Sequence, residues 1–439
     1  MSLLAVLKEF VLTQGQEKNY WLALSGGLDS HVLVATAYQL RQVLPLPSIQ
    51  AIYVDHGLSP QSQAWGEHCA RLCQGYGIPY QVHAVTVSTQ QGDSLEEVAR
   101  KKRYALFADL LSADDILLTA HHCDDQAETL LLQLLRGSGL KGLASMPLLK
   151  RLGQGWHGRP FLYQPKKSLE CFAEHHHLQW IEDESNQDQR LTRNFLRANI
   201  MPILKSRFPA IVKTMARTAE HIQEAQALLD EWADNLLVNL KGSQPETLSV
   251  DKLNALSKQK QRLVLRAWIK RSHYPLPDTK KLINLQSTLL TCAQDKTPCS
   301  HWGEAEMRRF GDDLYLMHKL PFHNPTQKIQ WDVTSPLVIP SVGILKATLK
   351  EQGLAKSTVP LVVSFRQGGE RISLGQRGRH TLKNMFQIWR VPTWQRDRIP
   401  LLYIDQQLVG VVGYQFDPDY VAKKGEVGLH FEWIASPSK

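Results

Sequence analysis

Along the first half of the chain, short apolar runs rich in β-branched and aromatic residues alternate with longer stretches whose apolar residues recur every three or four positions. The runs have the pattern of strands buried on both faces and the stretches that of amphipathic helices. Their alternation predicts a parallel sheet covered by helices on both sides. Tyr20–Leu24, Ile49–Asp55, Tyr80–Val87 and Ile116–Ala120 read as strands. Helices are expected over Leu28–Arg41 and Gln61–Tyr76, and after Ser94-Leu95-Glu96-Glu97, which has capping-box spacing. A further helix runs from Asp124 to Arg136, where Gly137-Ser138-Gly139 stops it.

The pattern changes near Arg207-Phe208-Pro209. A polar helical segment over Ile211–Leu240 leaves the sheet domain, residues 250–320 read as mostly helical with strand-like runs around Met307–Met317, and short apolar runs from Trp331 suggest a small mixed module. The expected fold is α/β: a parallel-sheet domain over 1–210, a mostly helical middle domain over 211–330 and a small α+β domain over 331–439. A chain of 439 residues has room for two to four domains.

Composition narrows the class. With 43% hydrophobic and 21% charged residues the chain is neither disordered, collagen-like nor a coiled coil. No uninterrupted apolar run reaches the ~18 residues of a membrane span, so no membrane association is expected. The N-terminus lacks the basic segment and small-residue cleavage site of a secretory signal, and six cysteines are too sparse for a disulfide framework, so a cytoplasmic location with reduced thiols is expected. The net charge of +9 is unevenly placed. Residues 1–210 carry 20 Lys/Arg and 20 Asp/Glu, residues 211–330 carry 17 and 13, and residues 331–439 carry 14 and 9. A basic half beside a balanced one fits a polyanionic partner.

Ser25-Gly26-Gly27-Leu28-Asp29-Ser30 joins a predicted strand to a predicted helix. Such a turn directs backbone N–H groups and the positive end of the helix dipole at one place, which suits phosphate. Asp29 would repel phosphate unless a divalent cation lies between them, which hints at magnesium. A plain strand-to-helix turn with a serine cap is the alternative. No Walker A sequence occurs, and Gly137-Ser138-Gly139-Leu140-Lys141-Gly142 follows a helix rather than a strand.

His121, Asp125 and Glu128 are spaced to share one face at a helix start, with Arg136 returning to it three turns past Asp125. These acids fit magnesium or a cationic nucleophile; a zinc or iron site, or acids that only complement the helix dipole, are the alternatives. Arg100 and Arg103 continue the apolar stripe of Tyr104, Phe107 and Leu111, so they either snorkel at a core edge or enter a site. The acids of Trp180–Asp188, followed by Arg193 and Arg197, form either a local ion-paired loop or one that closes on substrate. Cys69 and Cys73 lack C-x-x-C spacing and suit a core.

Ser25–Ser30 resembles the PP-loop of the N-type ATP pyrophosphatases. Together with Val54–Leu58, Arg100, Arg103-Tyr104, His121–Thr129, Leu134–Gly139, Trp180–Asp188, Arg193-Asn194 and Arg197, the chain resembles the tRNA(Ile)-lysidine synthetase family. Phe365-Arg366, Arg379, Leu382-Lys383, Val391-Pro392, Trp394, Arg396-Asp397 and Pro400-Leu401 resemble that family's C-terminal tRNA-binding module. The chain departs from the family at Asp55-His56, where many members have two histidines.

The resemblance implies a ligase that uses ATP and Mg2+ to join L-lysine to C2 of the wobble cytidine of a tRNA(Ile) with a CAU anticodon, through an adenylated cytidine, and it implies no protein partner. It implies nucleotide binding by Ser25, Gly26, Gly27, Leu28, Asp29 and Ser30, and metal near Asp29 and Asp125. Catalysis falls to Asp29, Arg100, His121, Asp125, Glu128 and Arg136, and substrate binding to Asp125, Glu128, Asp183, Arg193 and Arg197. Contact with tRNA falls to Arg366, Arg379, Lys383 and Arg396. From Arg366 to Arg398 eight Lys/Arg meet two acids, interleaved with Phe386, Trp389 and Trp394, which is either a solvated face or an RNA contact. A PP-loop tRNA thiolase, which would want a C-x-x-C pair absent from this chain, and a non-catalytic tRNA-binding protein are the competing expectations.

Overall fold

The computed structural model describes residues 2–46, 48–88, 95–184, 188–293, 296–351, 353–356 and 359–435. The chain divides into two units, Met1–Leu228 and Leu229–Lys439, and helix Ile211–Asn239 crosses the division.

The first unit is built on a sheet of β1 (Asn19–Leu24), β2 (Ser48–Asp55), β3 (Tyr80–Ala84), β4 (Asp115–Leu118), β5 (Leu149–Leu152) and β6 (Gly155–Gly158), in the order β3-β2-β1-β4-β6-β5. All pairings are parallel except the β5–β6 hairpin. β1 alternates between two cores: Tyr20, Leu22 and Leu24 join Leu7, Phe10, Val32 and Leu33 on one face, while Trp21 joins Ile52, Val54, Phe107 and Leu117 on the other. A strand buried on both faces needs the continuous apolar run seen in the sequence. Helices α1 (Leu3–Gln14), α2 (Leu28–Val43), α3 (Ser62–Gly75), α4 (Leu95–Leu110) and α5 (Cys123–Leu135) cover the sheet. The chain order reverses between β1 and β4, so their carboxyl ends frame the crevice where open α/β sheets bind ligands.

The expected strands 80–87 and 116–120 end earlier, at Ala84 and Leu118, and the β5–β6 hairpin is additional to the expected pattern. The capping box assigned to Ser94 lies outside the described residues, as do residues 185–187 of the acidic loop. Cys69 and Cys73 are wholly buried, and burial pushes both thiols up to about 12, so they are inert core residues.

The second unit opens with helices Val250–Asn254, Lys258–Arg271 and Thr279–Thr291, packed with an antiparallel sheet of four strands. Its three main strands, Cys299–Trp302, Ala305–Phe310 and Asp313–His318, begin before the strand-like run expected at Met307. Beyond it lie a five-stranded and a three-stranded sheet around Trp331, Phe365, Leu402 and Phe431, and a helix Leu382–Ile388 buried through Leu382, Met385 and Phe386. Among the described residues no helix is long and apolar enough to cross a membrane.

Candidate active site

The glycine loop leaves β1 and enters α2 with Gly27 as N-cap. Gly26 has φ +80°, in the left-handed region, and a Cβ there would lie 3.3 Å from the Ile181 side chain. The turn is closed by Ser30, whose hydroxyl donates to the Gly27 carbonyl at 2.9 Å and accepts from the Ser25 N–H at 3.3 Å. Ile181 N–H donates to the Gly26 carbonyl at 2.9 Å, tying the segment after Trp180 to the loop. Ser25, Gly27, Leu28 and Asp29 line a cavity of about 600 Å³ together with Lys166, Trp180, Ile181, Asp183 and Arg197. That volume suits a nucleotide.

The second wall is the start of α5. His122 is its N-cap, in a reciprocal capping box: Asp125 N–H faces His122 Nδ1 at 3.4 Å and His122 N–H donates to Asp125 Oδ2 at 3.1 Å. His121 therefore precedes the helix and does not share a face with Asp125 and Glu128, which corrects the expected spacing. It instead bonds Thr119, with Oγ1 2.7 Å from Nδ1. Arg136 is the C-cap of α5 and is exposed. Arg100 is exposed, and its guanidinium and that of Arg103 both lie over the Tyr104 ring, at 5.6 and 5.7 Å.

Asp125 and Glu128, themselves buried, point into an ion cluster that is open to solvent on the Arg197 side. Glu128 accepts from Arg193 Nε at 2.9 Å and from Arg197 Nε and Nη2 at 2.7 and 2.8 Å, while Asp125 accepts from Arg193 Nη2 at 2.8 Å. Two carboxylates and two guanidinium groups form a charge-balanced quartet. Arg193 lies on helix Thr192–Phe195, and Arg197 lies on the π-helical turn Leu196–Ile200 that follows, a rare geometry concentrated at functional sites. Arg193 and Arg197 thus reach across to α5, while Arg190 pairs with the neighbouring Asp188 at 2.7 Å.

His122 joins the two walls, since its Nε2 lies 3.6 Å from Asp29 Oδ2 and 3.5 Å from Asp125 Oδ2. Burial alone would lower its ionisation, but the bond to Asp29 and the charges of Asp125, Asp29 and Asp124 outweigh burial and raise it. A raised histidine stabilises the fold below its unfolded value and ceases to do so as pH rises through the folded one. In metal-free protein, the thermal stability lost on His122→Gln is therefore expected to be largest below about pH 6.5 and to shrink at higher pH, as melting curves across pH 5–8.5 would read. Sequence reasoning passed over His122, although its place three residues before Asp125 was a signal. Asp124 accepts from Lys205 Nζ at 2.6 Å and from the Lys166 N–H at 3.1 Å, bonds that hold its carboxyl below the usual carboxylate range against the opposing pull of burial.

A divalent ion has donors here. Asp29 Oδ1 is buried without a hydrogen-bond partner among the described residues, and Asp125 faces the same histidine. Magnesium takes one or two carboxylates and completes its shell with substrate phosphates and water, which this sparse donor set fits. Among the described residues no group of three or more His, Cys, Asp or Glu forms a metal cage.

In the second unit Lys383 and Arg379 are exposed, Arg366 pairs with Asp397 at 3.3 Å, and Arg396 Nε donates to the Val391 carbonyl at 2.9 Å.

Residues 3–204 match the PP-loop domain family, residues 248–315 the TilS substrate binding domain and residues 361–433 the TilS substrate C-terminal domain. The chain is 41% identical to a tRNA(Ile)-lysidine synthase of Coxiella burnetii over 97% of this chain and 95% of that protein, and 38% identical to one of Methylococcus capsulatus over 90% and 92%. Among solved structures it is similar to the U34-tRNA thiolase NcsA from Methanococcus maripaludis, with a TM-score of 0.42 and 20% identity over 50% of this chain and 80% of that one.

Proposed function

The chain belongs to the tRNA(Ile)-lysidine synthase family, an ATP-using ligase family acting on tRNA, and from that premise we propose how its residues divide the reaction. Its substrates are ATP, L-lysine and a tRNA(Ile) with a CAU anticodon. ATP adenylates the C2 carbonyl oxygen of the wobble cytidine with release of pyrophosphate, and the lysine ε-amine then displaces AMP. An amide-like carbonyl needs a good leaving group before an amine can replace its oxygen, which is why the α-phosphate is spent.

The observation that carries this reading is the shared cavity, in which the glycine loop and Asp29 face Asp183 and Arg197. Ser25, Gly26, Gly27, Leu28 and Ser30 bind the phosphates through the loop and the α2 dipole. Asp29 and Asp125 hold Mg2+, which when bound neutralises charge on the phosphates. Arg100 and Arg136 offset charge on the departing pyrophosphate, and Arg193 and Arg197 guard the acids until substrate enters. Asp125, Glu128 and Asp183 receive the lysine ammonium. His121 assists at the carboxyl end of β4. The target base is splayed from its loop to reach the cavity.

The catalytic domain spans 1–210, and the domains 211–330 and 331–439 carry the tRNA in the cytoplasm. Arg366, Arg379, Lys383 and Arg396 belong to that surface. Replacing Lys383 and Arg379 by glutamine is expected to weaken tRNA binding about threefold to tenfold and to flatten the slope of log affinity against log salt by roughly 0.7–0.9 per lost contact, with ATP affinity unchanged. Filter binding across salt concentrations reads both.

The reading is tested by incubating the protein with ATP, Mg2+, labelled lysine and a CAU-anticodon tRNA(Ile). Label in the tRNA and equimolar pyrophosphate are expected. No incorporation, with pyrophosphate released only when a sulfur donor is supplied, would favour thiolation.

A further inference from the structure

A chain of polar groups starts at a buried guanidinium and ends at His121, which is half-buried just before α5. Arg159, 5% exposed, stands just past β6, where its Nη1 donates to the Pro147 carbonyl at 2.7 Å and its Nη2 faces His157 Nδ1 at 3.0 Å. His157, 2% exposed, turns Nε2 toward Thr119 Oγ1 at 2.8 Å, and the same hydroxyl lies 2.7 Å from His121 Nδ1. The sheet fixes the spacing: β6 pairs His157 with Leu117 of β4, and Thr119 N–H donates to the Gly158 carbonyl at 3.1 Å.

The direction of each bond follows from the guanidinium at one end and from the acceptors within reach of the hydroxyl. A guanidinium only donates, so His157 Nδ1 must accept. A neutral imidazole accepting at Nδ1 carries its proton on Nε2, which donates to Thr119. The hydroxyl accepts from His157, and since His121 Nδ1 is the one acceptor facing it among the described residues, its single hydrogen goes there, which leaves the proton of His121 on Nε2. The charges facing the two rings agree. Burial first, then Arg159, His157, Arg193 and Arg100, holds His121 well below the usual histidine range, and burial with Arg159, Lys150, Arg100 and Arg103 lowers His157 to about 2. A proton taken up at His121 could not travel inward, because the chain ends on a group that does not release one.

We propose that Arg159, His157 and Thr119 are positioning residues that hold His121 as a neutral imidazole with a fixed Nε2–H, a hydrogen-bond donor for oxyanion charge developing on the substrate and not the base that deprotonates lysine. The tautomer stands on geometry alone, while its use on substrate rests on the function proposed above. A neutral imidazole donor in this role avoids the cost of losing a proton as charge builds opposite it.

Long-range 1H–15N spectra of histidine-labelled, ligand-free protein test the tautomer, with His121 and His157 assigned through H121N and H157N. Both rings are expected as neutral Nε2–H tautomers that do not titrate between pH 5.5 and 8.5. Thr119→Val, which removes the hydroxyl at nearly equal volume, is expected to release His121 into a tautomer mixture or a titrating ring. The same variant should slow tRNA-dependent pyrophosphate release about tenfold to a hundredfold with a new pH-dependent limb, while Thr119→Ser stays within about twofold of wild type. His121 found as imidazolium or as the Nδ1–H tautomer at neutral pH would overturn the proposal, as would a Thr119→Val variant unchanged in spectrum and rate. Expected spectra in a protein that releases no pyrophosphate with tRNA would instead count against the proposed reaction.

Discussion

Glu128→Gln is expected to cut lysine transfer about a thousandfold, while ATP- and tRNA-dependent pyrophosphate release keeps at least about a tenth of its rate. The carboxylate is 4% exposed and accepts three bonds from Arg193 and Arg197. Glutamine keeps its volume but removes the charge and turns an N–H donor toward one of the guanidinium groups. An incoming ammonium then meets two arginines with only Asp125 to balance them, so it is repelled where it was held. Adenylation draws on the glycine loop and Asp29 on the other wall, and it suffers less. Single-turnover experiments following labelled lysine and pyrophosphate separately measure the split, and equal losses in both steps would remove Glu128 from lysine binding. Leaving two partly exposed guanidinium groups with Asp125 alone should also lower the stability of the variant, by about 1 kcal/mol after solvent screening, visible in denaturant melts.

Asp29→Asn is expected to reduce both half-reactions by about a thousandfold or more, because without the first neither can proceed. Its Oδ1 is buried without a partner and its Oδ2 meets His122 at 3.6 Å, an arrangement that leaves one oxygen available for a cation. An uncharged side chain also removes repulsion toward phosphate, so ATP should bind the variant as well as or better than wild type when metal is withheld. Titrating Mg2+ against the rate separates the two effects. An Asp29→Asn enzyme with the metal dependence of wild type would show that this carboxylate does not hold the ion.

The glycine loop was legible because its chemistry is local: one strand end, one small-residue turn and one helix start are contiguous in the chain. The quartet was legible only as a list of residues. Arg193 and Arg197 meet acids more than sixty positions away, and a local pattern pairs them instead with the acids of Trp180–Asp188. The hairpin carrying His157 and Arg159 escaped for a different reason. Leu149–Leu152 and Gly155–Gly158 are four residues each and mix apolar with polar and glycine positions, so neither shows a strand's period. Close backbone approach makes the turn: Gly153 has φ +59°, and a Cβ there would meet the Ala108 carbonyl at 2.0 Å. His121 was misplaced on a helical face because the helix begins two residues later, with His122 as its cap.

The hydrogen bond from the Ile181 N–H to the Gly26 carbonyl has a consequence for timing. The segment leading into Asp183 is rooted on the main chain of the glycine loop. An adjustment of that turn on nucleotide arrival would move Ile181 and, with it, the Trp180–Asp183 wall of the cavity. On the proposed reaction, in which Asp183 receives the amine, nucleotide is expected to enter before amino acid, and lysine affinity measured with and without ATP reads the order.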